Sequence, residues 1–199
     1  MTVLLSVLLG LSLVRDVNAN ELAKRAEYDR IVLEMEKMEK NAVWVGVDKR
    51  FQDLEKLDVE IAFDHYVLGA QAAQEIGNIL ACKDRLRKAL ELKPKRKQIR
   101  QWYTMIENDY GPVSLSSSRK EAFLERADVV MDPVHAKAIV FAQGKLEKKG
   151  KFEGLLPIGN YNFTGQQFLL EAGVAVQLDI SPRMRRLELN KKQKEKKGE

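Results

Sequence analysis

From Glu21 to about Tyr110, apolar residues recur every three or four positions among charged ones, the spacing of amphipathic helices. The segment 21–40 places Leu22, Ala26, Ile31, Met35 and Met38 along one side, and 42–57 repeats the pattern with Val43, Val47, Phe51, Leu54 and Leu57. A third helix follows over 63–78, with Asp64 as its N-cap and Gly77-Asn78 as its stop. The fourth, "ILACKDRLRKALELKP", closes at Pro94. The fifth, over 95–109, carries Ile99, Trp102, Tyr103 and Ile106. Short turns between helices of this length predict antiparallel hairpins, with Trp44 and Trp102 packed between them.

Beyond Tyr110 the period changes. Tyr110-Gly111-Pro112 reads as a hinge, "VSLSS" as a strand and "RADVVMD" as a second strand. A single helix over 132–149 is bounded by Asp132 as N-cap, Pro133 in the first helical position and Gly150 after the end. Ala136, Ile139, Val140 and Leu146 form its expected apolar side. Alternation then takes over: Leu156, Ile158, Tyr161 and Phe163, next Phe168 and Leu170 after "TGQQ", and finally Val174, Val176, Leu178 and Ile180. Gly159-Asn160 and Glu171-Ala172-Gly173 supply the turn chemistry between these runs.

Two resemblances sharpen the picture. "HYVLGAQAAQEIGNILACKDRLRKALELKP" resembles a tetratricopeptide repeat, with Leu68, Gly69, Ala81, Ala89 and Pro94 in the pattern's places. Small residues are needed where helices cross closely, and a proline where the second helix stops. Pro157, Gly159, Tyr161, Phe163 and Gly173 follow a spacing that resembles the small surface-layer-associated β-sandwich called the PEGA domain, and carboxypeptidase-regulatory-like sandwiches. That resemblance implies a non-enzymatic, extracytoplasmic binding or structural module of a bacterial envelope, with Tyr161 and Phe163 in its core. The expected fold class is α+β: N-terminal antiparallel helical hairpins, then a small antiparallel β module with one packed helix. The expected organisation is a signal peptide over 1–19, helical hairpins over 20–110, a β-rich module over 111–182 containing the helix 132–149, and a tail over 183–199.

The N-terminus adds a compartment. The apolar run from Val3 to Val14 is too short to span a bilayer and suits a signal-peptide core. Val17 and Ala19 supply the small residues of a cleavage site after Ala19, which predicts a periplasmic or secreted protein. No Lys or Arg precedes the run, which weakens the signal or places the true start upstream.

Composition sets limits. At 199 residues with 45% apolar, the chain has material for a real core. Its single cysteine, Cys82, precludes an intramolecular disulfide and multi-cysteine zinc sites, and its place beside Leu80 and Leu86 makes it a packed small residue. The net charge of +5 is localised. Arg183, Arg185, Arg186, Lys191, Lys192, Lys194, Lys196 and Lys197 face three acidic residues in the tail, so the remainder of the chain is neutral. A solvated terminus able to touch an acidic surface or a cell-wall polymer is expected, rather than a nucleic-acid footprint.

Catalytic chemistry finds little support. His65 and His135 lie on different helices, no P-loop, GxGxxG or HExxH string occurs, and no nucleophile-elbow glycines flank Ser116–Ser118. No catalytic residue, metal, cofactor or small-molecule substrate is therefore expected. Asn162-Phe163-Thr164 fits a glycosylation acceptor but sits among core-type aromatics of a strand. The more informative cluster is "KPKRKQIRQWY". Lys95, Arg96 and Lys97 stand where a helix begins, a position that disfavours cations. With Arg100, Trp102 and Tyr103 they form the candidate partner-binding set. The expected function is an envelope scaffold or adaptor binding protein partners. The alternatives are a carbohydrate- or peptidoglycan-binding module using exposed Tyr161, Phe163, Trp102 or Tyr103, and a cytosolic RNA-associated protein if the export signal fails.

Overall fold

A computed structural model describes residues 3–118 and 122–180, with side chains from Asn20 onward. The basic tail and its eight candidate residues lie outside the described residues. The fold is α+β, with five helices followed by six strands and one further helix. These are α1 (Val3–Lys40), α2 (Trp44–Glu55), α3 (Phe63–Glu75), α4 (Ile79–Leu92), α5 (Lys97–Asp109), β1 (Tyr110–Ser117), β2 (Leu124–Arg126), α6 (Pro133–Lys149), β3 (Lys151–Pro157), β4 (Gly159–Phe163), β5 (Gln166–Leu170) and β6 (Val176–Ile180). The chain divides into two compact units, Met1–Gly69 and Ala70–Glu199, so the division falls inside α3.

In the first unit, α1 runs unbroken through the Ala19–Asn20 junction. No described helix is long and apolar enough to cross a membrane. Helices α1 and α2 pack as a hairpin whose core is Ile31, Met35, Val47, Phe51 and Leu54, the expected stripe. Leu22, expected on that stripe, is 69% exposed, because α2 lies along only the later turns of α1. Gly46 admits Met38, whose sulfur lies 2.7 Å from where a Cβ would stand, and Gly69 admits the Phe51 ring at 2.4 Å. Small residues thus occur where the chain approaches itself most closely. Asp64 falls within the first turn of α3 and does not cap it. Instead the Tyr28 hydroxyl accepts the Ala62 N–H (3.0 Å) and shares a hydrogen bond with His65 Nδ1 (2.7 Å). That assigns His65 a structural tie.

In the second unit, α4 and α5 share a core with the β half: Ala70, Ala73, Ile79, Cys82, Leu86, Ile106, Tyr110, Ala138 and Leu155 form one cluster. Gly77 takes φ +84° to end α3, and the Asn78 side chain accepts from Ala81 N–H to cap α4. Tyr110-Gly111-Pro112 is no hinge. It opens β1, with Tyr110 paired to Pro157, Gly111 to Leu156 and Pro112 to Leu155. Pro112 is tolerated because β6 joins β1 only from Val113, so its missing N–H falls outside that ladder.

The β strands form two three-stranded sheets, ordered β3-β1-β6 and β2-β4-β5. All pairs are antiparallel except β1 with β6. The sheets share a core of Val113, Leu115, Phe152 and Leu156 from one with Leu124, Tyr161, Phe163 and Leu170 from the other. The chain passes from sheet to sheet at Ile158, where Gly159 takes φ +144° and the buried Tyr161 hydroxyl donates to Pro157 O at 2.7 Å. Burial pushes that phenol well above its ordinary range, with Arg126 opposing the shift. Thr164-Gly165, both at positive φ, form the two-residue hairpin turn between β4 and β5. The Asn162 side chain accepts Gly165 N–H at 2.8 Å, a hairpin role for the sequon residue.

Two further expectations are corrected. "RADVVMD" is a connection, since only its first residue belongs to β2; Val129 and Met131 are 84% and 87% exposed, with no strand partner. Helix α6 buries Ala138, Ala142 and Leu146, and Val140 faces solvent. Alanines four apart let the helix approach β3 closely, which the larger Val140 would prevent. Its ends match expectation: Asp132 accepts Val134 N–H at 2.8 Å, Pro133 opens the helix and Gly150 closes it at φ +66°.

Cys82 is fully buried, and desolvation pushes its thiol up to about 12 despite nearby Arg85. At pH 8 it stays protonated and covered. Native Cys82 should react with an aromatic disulfide reagent about a hundredfold more slowly than the denatured chain does. Comparable rates would show that α4 opens freely.

Candidate partner-binding face on helix α5

The six residues singled out in the sequence divide between two sides of one helix. Arg96 is the N-cap of α5 and makes no side-chain cap, and the first turn holds no acidic residue. Lys95, Arg96, Lys97 and Arg100 are all exposed. Arg100 donates back to Pro94 O at 2.7 Å, which steadies the turn that presents these cations. The positive end of the helix dipole and four basic side chains therefore coincide, an arrangement that attracts a negatively charged partner.

Trp102 and Tyr103 point the other way. Both are half-buried against the cluster of Ile79, Cys82, Leu86 and Ile106. Trp102 Nε1 donates to Gln74 Oε1 of α3 at 2.5 Å, and Lys83 Nζ lies 5.3 Å from the centre of the Tyr103 ring. Partial burial raises the Tyr103 phenol pKa, with Lys83 opposing. These aromatics hold α5 against α3 and α4. The basic turn lies at the exposed start of the same helix. Tyr161 and Phe163 are fully buried and offer no platform for a sugar ring.

The outward side of α5 is formed by Lys97, Arg100, Gln101, Thr104, Met105 and Asn108, which together with Asp109 line one open depression. Met105 is its exposed apolar centre. Lys97 and Arg100 belong to the candidate set read from the sequence, whereas Gln101, Thr104, Met105 and Asn108 do not. The signal was present: positions 97, 100, 101, 104, 105 and 108 carry the same helical spacing on the opposite face.

The other candidates take structural places. His135 packs edge-on against the Tyr110 ring at 5.2 Å, with Nε2 3.7 Å from Asp132. In the first unit, Glu21, Asp29, Asp58 and Glu60 surround Arg25 and Tyr28 in an acidic hollow. Comparison with family models, with curated proteins and with solved structures returned no match.

Proposed function

We propose that the protein is a non-enzymatic adaptor of the cell envelope, exported through its N-terminal segment, which docks an acidic amphipathic segment of a partner protein along the outward side of α5. The observation that carries this reading is the coincidence, on one exposed helix face, of a basic first turn that holds no acidic residue with an apolar centre at Met105. A partner helix with acidic residues at one end and apolar residues at helical spacing complements both features. Export is supported by the apolar run Val3–Val14 with Val17 and Ala19 behind it. The hairpin arrangement and the resemblance to tetratricopeptide repeats agree with a scaffolding role.

A photo-crosslinking residue introduced at Met105 tests the docking face directly. It should yield a discrete envelope-protein adduct in cells, and the same residue at Leu169, exposed on β5, should not. Charge reversal at Lys97 and Arg100 should reduce that adduct by about tenfold, the effect of losing two favourable charges at an interface. Adducts of equal yield at both positions, or none at Met105, would overturn the docking face. Fractionation with N-terminal sequencing tests export: a mature chain beginning at Asn20 in the envelope is expected, and intact Met1 on cytosolic protein would refute it.

A further inference from the structure

On one face of the β3-β1-β6 sheet, the residues pair as Tyr110 with Pro157, Pro112 with Leu155, Ser114 with Glu153 and Ser116 with Lys151. The first half of this face is apolar and covered: Tyr110 and Leu155 join Ile79, Cys82 and Leu86 of α4. The helical layer ends at Asn78, the N-cap of α4, while the strands continue. Ser114, Ser116, Lys151 and Glu153 are left as the floor of a cavity of about 340 Å3, walled by Phe141, Lys145 and Lys149 of α6 and closed by Asn78. Phe141, Lys145 and Lys149 form a single stripe at four-residue spacing, continuous with buried Ala138.

The lining has a definite chemistry. Three amines face Glu153, and Asp179 stands at the margin beside Ser116, so the cavity carries a small excess of positive charge. Two hydroxyls two residues apart on β1 project from the floor, and Ser116 is oriented by donating to Asp179 Oδ1 at 2.9 Å. Phe141 gives an aromatic wall, set edge-on to Phe152 at 6.4 Å, and Lys145 Nζ lies 5.0 Å from the centre of the Phe141 ring. Volume in the range of roughly 300–1,000 Å3, an apolar wall and a few convergent polar groups define a small-molecule site.

We propose that this cavity binds a small organic anion, a phosphate or carboxylate carried on an aromatic or other apolar group. The anionic end lies between Lys145, Lys149 and Lys151 with Ser114 as a neutral donor, and the apolar end lies against Phe141. Such a ligand goes beyond the adaptor reading, which needs no small molecule, and it occupies a different surface from α5.

Residue-resolved NMR titration of the full chain tests the site with phenyl phosphate, phenylacetate, inorganic phosphate and benzyl alcohol as probes. Phenyl phosphate or phenylacetate should shift the backbone resonances of Asn78, Ser114, Ser116, Lys151 and Glu153 saturably, and the tighter of the two identifies the headgroup. Inorganic phosphate and benzyl alcohol should bind at least about tenfold more weakly, each lacking half of the recognition. The double substitution Lys145→Gln/Lys149→Gln, at solvent-accessible positions, should remove the shifts while the rest of the spectrum stays native. Shifts absent with both aryl anions, confined to the lysine-rich C-terminus, or unchanged in the double variant would each overturn the proposal.

Discussion

Truncating Phe163 to alanine should cost the second unit about 4 kcal/mol, the range for removing a fully buried phenylalanine. Phe163 is fully buried on β4, between Leu124 of β2 and Gln166 of β5, and it faces the core shared by the two sheets. Neighbours from both sheets surround the ring, so the cavity cannot close without moving strands tied by their ladders. Against a typical total stability of roughly 5–15 kcal/mol, that is a large fraction. Thermal denaturation should show a loss of roughly 15 °C for a unit of this size. Phe168 provides the comparison. It is only partly buried and stacks on Tyr161 with ring centres 5.4 Å apart. Phe168→Ala should cost about half as much, since the exposed part of the ring contributes little transfer free energy. Equal losses at the two positions, or a loss under about 1 kcal/mol at Phe163, would show that the sheets do not share one core.

That contrast marks how far the sequence could be read. Alternation separated Tyr161 and Phe163 from their neighbours because a strand with one buried face repeats every second residue. Helix ends were equally legible, since Asp132, Pro133 and Gly150 act through their own backbone and need no distant partner. What failed depended on the rest of the fold. "RADVVMD" has strand composition but finds no ladder, and β2 forms one turn earlier where Leu124 can face Phe163. Tyr110-Gly111-Pro112 has turn composition but is drawn into β1 by the burial of Tyr110 and its pairing with β3. The α6 face was misjudged because buried alanines are weaker signals than valine. The candidate site shows the same division. Helical spacing identified α5 and its basic start, yet the inward turn of Trp102 and Tyr103 required α3 and α4 to be in place. The cavity beside α6 was illegible, because Asn78, the serines of β1 and the lysines and phenylalanines of 141–152 come from three separate segments of the chain.

Gly77 is where that assembly can be tested most sharply. At φ +84° an alanine already carries left-handed strain, about 1 kcal/mol for a residue with a Cβ. The added carbon would also stand 2.2 Å from Lys137 O, 2.5 Å from its carbonyl carbon and 2.9 Å from Ala138 N. All three are backbone atoms of α6, so no side-chain rotation relieves the overlap. The helix must shift, and Ala138 must leave its place against Ala70, Ala73 and Ile79. Overpacking of this kind adds roughly 1–3 kcal/mol, so Gly77→Ala should lose about 3 kcal/mol in chemical denaturation. Gly173→Ala isolates the first contribution, because it has φ +71° with nothing within 4 Å of the added carbon. It should lose only about 1 kcal/mol. The difference between the two variants measures the contact of the α3–α4 turn with α6. The same contact sets the cavity, since Asn78 follows Gly77 directly and Phe141 lies one helical turn beyond Lys137. Displacing α6 by the overlap should therefore weaken phenyl phosphate binding in Gly77→Ala and leave it unchanged in Gly173→Ala. Equal losses of stability in both variants would show that α6 does not rest on the turn.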